Sequence, residues 1–71
     1  MTGTGKIARL VKDKGFGFIK VEGREKDLFF HSNSLIGVTF DELKDGDDGD
    51  ILSFDIENSA KGENAVNVKR A

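Results

Sequence analysis

The chain has 71 residues, 37% of them hydrophobic and 34% charged, with a net charge of −2 and no cysteine, tryptophan, tyrosine or proline. That length allows one small domain near the lower limit for a self-supporting core, and the apolar fraction fits a packed fold better than a disordered chain. The lack of cysteine excludes disulfides and thiolate metal sites, while the absence of an apolar signal region or membrane-length run makes a cytoplasmic protein, one domain over residues 1–71, the expectation.

The pattern is β throughout. Residues 5–13 read as a first strand with Ile7 facing inward. Residues 15–22 read as a second, on which Ile19 and Val21 share one face and Phe16, Phe18, Lys20 and Glu22 share the other, because residues i and i+2 of a strand point the same way. Glu22-Gly23-Arg24-Glu25 reads as a turn. Residues 27–32 predict a third strand, with Leu28 and Phe30 on one face and Phe29 and His31 on the other. Residues 39–44 could form one or two helical turns, and no longer window has the 3.6-residue period of a helix. The run Asp45-Gly46-Asp47-Asp48-Gly49-Asp50 reads as a solvated, self-repelling turn, since it does not fit the EF-hand calcium spacing in any register. Residues 51–57 alternate cleanly, Leu52, Phe54 and Ile56 inward against Ser53, Asp55 and Glu57 outward. After a turn over residues 58–62, residues 63–69 predict a last strand with Val66 and Val68 inward. Five short strands without a sizeable helix predict a small closed antiparallel barrel, which removes exposed sheet edges.

Lys14-Gly15-Phe16-Gly17-Phe18-Ile19 sets two phenylalanines side by side on one strand face, and Asp27-Leu28-Phe29-Phe30-His31 follows. Ile19 and Val21 suffice for the core side of their strand. Phe16 and Phe18 are then left facing solvent, a placement that suits a binding surface. Pattern alone leaves open the inverse assignment, with these rings in the core. Residues 1–40 carry seven basic and four acidic side chains, and residues 41–71 carry four basic and nine acidic ones, so the positive charge coincides with the aromatic strands. Rings for unpaired bases and cations for phosphates are what a single-stranded nucleic acid needs. The single histidine has no catalytic partner in the sequence, and neither an enzyme, a cofactor, a metal site nor a small-molecule substrate is expected. An RNA-recognition motif would need two helices for which there is no room. A protein-interaction module gripping a partner chain with exposed phenylalanines is the alternative, and the adjacent lysines argue against it.

On these two aromatic motifs, in this order and spacing, the chain resembles the bacterial cold-shock protein family. Gly5-Lys6-Ile7, Phe40 with Leu43, Gly49-Asp50-Ile51-Leu52-Ser53-Phe54, Lys61-Gly62 and Ala65-Val66-Asn67-Val68 extend the resemblance along nearly the whole chain. It implies a five-stranded antiparallel OB-fold barrel: a monomer that binds single-stranded RNA and DNA with little sequence preference and serves as an RNA chaperone. It further implies that the positions of Phe16, Phe18, Phe29, His31 and Phe40 stack on bases, while those of Leu28, Phe30 and Phe54 are interior. With the flanking polar groups, the expected interface is Lys6, Arg9, Lys12, Lys14, Phe16, Phe18, Lys20, Asp27, Phe29, His31, Phe40 and Lys61. The sequence departs from the family in four places. Ala8-Arg9-Leu10-Val11 replaces the usual Lys-Trp-Phe-Asn, so Arg9 stands where a tryptophan is common. Ser32 replaces a phenylalanine, Glu63 a proline, and the acidic run is longer than the usual loop.

Overall fold

The computed structural model describes residues 2–60 and 62–71. Five strands, β1 (Thr2–Val11), β2 (Phe16–Lys20), β3 (Leu28–His31), β4 (Ile51–Ser59) and β5 (Gly62–Arg70), close into a barrel in the order β1-β2-β3-β5-β4. Three single 3-10 turns, Ser32–Ser34, Phe40–Glu42 and Gly46–Asp48, lie in the long β3–β4 connection. The expectation of an all-β barrel holds, but not that of a purely antiparallel one: β3 and β5 pair in parallel, Phe29 beside Asn64 and Phe30 beside Ala65. The reason is parity. Strands around a closed ring can alternate direction throughout only if their number is even, so a five-stranded barrel must contain a parallel neighbour pair.

The barrel is filled by Ile7, Ile19, Leu28, Phe30, Leu43, Leu52, Phe54, Ala65 and Val68, and no polar or charged side chain is buried among the described residues. Full burial of each large apolar side chain contributes about 1.5–3 kcal/mol. Val21, Leu10 and Ile56 pack half-buried against this cluster. Gly17 also points inward. A Cβ there would lie 2.8 Å from both the Arg9 carbonyl oxygen and the Phe30 ring. The glycine between Phe16 and Phe18 thus lets β1 and the core close beneath the two rings.

Two irregularities set which side chains face in. Between Ile7 and Arg9 the β1–β2 register shifts, leaving Ala8 as the extra residue and placing Arg9 opposite Phe18. Between Ser53 and Asp55 the β4–β5 register shifts in the same manner, with Asn67 in the left-handed region at φ 51. This second bulge corrects the reading of the last strand. Val68 is buried as expected, but Ala65 rather than Val66 is its buried companion, and Val66 is half-buried. Asn67 donates from Nδ2 to the Asp55 carboxylate at 3.0 Å, which helps hold the bulge.

The Thr39–Leu43 turn is capped by its own side chains. The Glu42 carboxylate accepts from the Thr39 backbone N–H at 3.1 Å and from its hydroxyl at 2.8 Å. The acidic run is not a free loop. Asp45 accepts from the Leu10 N–H at 2.8 Å, the Asp50 carbonyl accepts from the Ile7 N–H at 3.0 Å, and the Asp50 carboxylate accepts from the Lys44 N–H at 2.9 Å. β1 pairs with β4 only as far as Lys6, so this segment covers the edge that β1 would otherwise leave open.

Candidate nucleic-acid interface

The site begins with the β1–β2 turn. The Val11 carbonyl accepts from the N–H groups of Lys14, at 3.1 Å, and Gly15, at 2.9 Å. Gly15 takes φ 73, a conformation open to glycine at no steric cost. Lys12 and Lys14 stand exposed on this turn. From here the register is fixed: Val11 faces Phe16, and Arg9 faces Phe18; across the next ladder Phe16 faces His31 and Phe18 faces Phe29. Directly opposed residues share a face. Gly17, Ile19, Leu28 and Phe30 occupy the inner face, so Phe16, Phe18, Phe29 and His31 occupy the outer one. The inverse assignment is thereby excluded.

The three outer rings form a triangle. Their centroids are 5.8 Å apart for Phe16 and Phe18, 5.3 Å for Phe16 and Phe29, and 6.0 Å for Phe18 and Phe29. Two of the contacts are edge-on, the arrangement aromatic quadrupoles favour. Each of the three phenylalanines is half-buried, so part of its surface stays open to solvent. The His31 Nδ1 accepts from the Asn33 N–H at 3.1 Å, which fixes the ring beside Phe16 and leaves Nε2 to carry the proton of the neutral form.

Arg9, Lys12, Lys14 and Lys20 are exposed around this surface, and no ion pair among the described residues takes them up. Lys6 lies opposite Lys20 in the next row, with its Nζ donating to the Asp47 carbonyl at 2.9 Å. Asp27 is exposed immediately before β3. Phe40 stands apart from the triangle. It packs half-buried on the core, with its ring centroid 6.3 Å from that of the buried Phe30. Lys61 lies outside the described residues. Among them no group of three or more metal-binding side chains converges, and no helix is long and apolar enough to cross a membrane.

The structure adds residues that the sequence reading did not single out. Val11 flanks Phe16, and Asn64 adjoins Phe29 through the parallel β3–β5 pairing that the reading did not foresee. Arg24, after the β2 turn, forms a forked ion pair with Glu63 on β5, at 2.8 and 3.4 Å. The hydrogen bond and charge of Arg24 hold the Glu63 carboxyl below its ordinary range, and Glu63 in turn raises the guanidinium. The two residues are 39 positions apart, with no local signal linking them.

A family model for the 'Cold-shock' DNA-binding domain matches residues 3–71. The chain belongs to the cold-shock domain family. That family binds nucleic acids. Similar relatives include the cold shock-like protein CspE of Bacillus anthracis, 43% identical over 68 residues that make up 96% of each chain. Another is the cold shock protein CspC of Bacillus subtilis, 41% identical over 83% of each chain. Among solved structures, drosophila Unr CSD456 matches all of this chain with a TM-score of 0.75 at 25% identity, and the match spans 27% of that longer chain. Within this cold-shock domain, the departures acquire structural partners. Arg9 lies opposite Phe18 across the β1–β2 ladder, Glu63 holds Arg24, and the long acidic run seals the edge of β1.

Proposed function

We propose that this cold-shock domain binds single-stranded RNA and DNA as a single monomeric unit. Bases stack on Phe16, Phe18 and Phe29 beside His31, and phosphates are met by Arg9, Lys12, Lys14 and Lys20. The observation that carries this reading is the half-open triangle of three phenylalanine rings, ringed by cations that no ion pair among the described residues engages. Stacking contributes about 1–3 kcal/mol per base and is indifferent to sequence, because every base has a π face. Bases in a duplex are already stacked and paired, so their faces cannot reach the rings. Binding therefore draws RNA toward its unpaired state by mass action, with no nucleotide hydrolysis. This is the activity of an RNA chaperone. Phe40, Lys6 and Asp27 belong to the edge of the site in this reading, and Lys61 supplies a further cation for phosphate.

A short RNA hairpin with a fluorophore and quencher at its ends tests the activity. Addition of the protein is expected to lower the hairpin's opening temperature, and Phe18→Ala to remove most of that shift. A hairpin whose opening temperature is unchanged or raised by saturating protein contradicts the chaperone reading.

A further inference from the structure

The sheet register strings five residues from five strands into one row across the outside of the barrel. Arg9 on β1 opposes Phe18 on β2, and Phe18 opposes Phe29 on β3. Phe29 pairs with Asn64 on β5, and Asn64 opposes Glu57 on β4. The row reads cation, ring, ring, carboxamide, carboxylate. Its far end opens into a pocket lined by Phe29, Glu57, Ser59, Gly62, Glu63 and Asn64. Neighbouring strands are about 4.8 Å apart, so Asn64 lies about one strand spacing beyond Phe29 and Glu57 about two. The Glu63 carboxylate is engaged by Arg24. Glu57 is exposed, and no ion pair among the described residues engages it.

The two ends of this row act oppositely on a nucleotide's phosphate. The Arg9 end attracts phosphate and the Glu57 end repels it. A base lying on Phe29 therefore keeps its sugar and phosphate toward β1 and β2, and extends its Watson–Crick edge over Asn64 and Glu57. We propose that the pocket beside Phe29 is a subsite that reads the edge of an unpaired guanine. The guanine N1–H and N2–H donate in a fork to the Glu57 carboxylate, and the Asn64 carboxamide N–H donates to O6. Guanine is the base that offers two adjacent donors on that edge. The N3–H of uracil or thymine is flanked by carbonyl oxygens, one of which would face the carboxylate. Adenine and cytosine place an acceptor next to their amino group. A carboxylate accepts but cannot donate, so it discriminates against all of these.

The inference rests on the single-strand reading of the site, and the test separates the two. Labelled six-nucleotide oligouridines carrying one guanosine at each position in turn are titrated by fluorescence anisotropy, with inosine, which lacks the 2-amino group, at the position that responds. At one position guanosine is expected to bind about tenfold tighter than uridine. Inosine there is expected to lose much of that gain, and in Glu57→Gln the guanosine-to-uridine affinity ratio is expected to fall toward one. Plain oligouridine that fails to bind the wild-type protein overturns the reading of the site, and this subsite with it. Oligouridine that binds while guanosine gives no advantage anywhere overturns the subsite alone. So does an advantage that inosine matches, or one that survives Glu57→Gln.

Discussion

Phe29 and Phe30 are chain neighbours on opposite faces of β3, and their surroundings give them different work. Phe29 leans on Phe16 and Phe18 outside the barrel, whereas Phe30 is fully buried and packs against the core. Phe29→Ala is expected to weaken single-strand binding by about 1–3 kcal/mol, the worth of a lost stacking platform, with little effect on stability. Phe30→Ala is expected to destabilise the fold by roughly 3–5 kcal/mol, through the cavity it leaves. Denaturant unfolding followed by circular dichroism, together with anisotropy titrations, reads both; the reverse pattern contradicts the assignment of faces. Arg9 makes a second case at this scale. It opposes Phe18, at the position where the family resemblance implies a tryptophan. Arg9→Trp adds a ring to the triangle and removes a cation, so binding should tighten while its salt dependence flattens. Weaker binding at every salt concentration would show instead that the guanidinium itself makes the contact.

At the scale of elements, the strands were legible where alternation ran undisturbed. Leu52, Phe54 and Ile56 point inward as their spacing says, as do Ile19 on β2 and Val21 just beyond its end. The reading slipped on β5 because the bulge at Asn67 changes the parity within the strand, and a bulge leaves no mark in a pattern of apolar residues. The contacts that hold the connections were equally silent. Asp45 reaches Leu10 across 35 positions and Arg24 reaches Glu63 across 39, so composition could show the charges but not their partners. Two of the carboxylate contacts have a consequence in acid. The Thr39 hydroxyl and N–H keep the Glu42 carboxyl below its ordinary value of 4.5, and Arg24 does the same for Glu63. The unfolded chain therefore takes up protons at these groups before the folded one does. Their stabilising contribution is in place above the ordinary carboxylate value and is lost as pH falls through the lowered folded values. Between about pH 6 and about pH 3 the melting temperature should fall, and it should fall less in Glu42→Gln/Glu63→Gln than in the wild type. Identical acid dependence in the two proteins would mean that neither contact matters to stability.

Over the whole molecule, the outer site belongs to the half of the sequence rich in lysine and arginine, while the acidic half supplies β4, β5 and the segment sealing β1. The candidate surface was legible because Phe16, Phe18, Phe29 and His31 lie on adjacent strands and keep strict alternation. Its extension to Asn64 was not, because that neighbour is reached only through the parallel pairing that an odd-stranded barrel requires. The net charge of −2 thus hides a basic, aromatic face on an otherwise acidic barrel. The measurement that tests this account most directly is fluorescence-anisotropy binding of one labelled oligonucleotide, single-stranded and as a duplex, across a salt series. The account predicts much tighter binding of the single strand, with log affinity falling against log salt at a slope of roughly −1.4 to −2.8, as two to four phosphate contacts would give. Equal affinity for the duplex, or single-strand binding indifferent to salt, would contradict it.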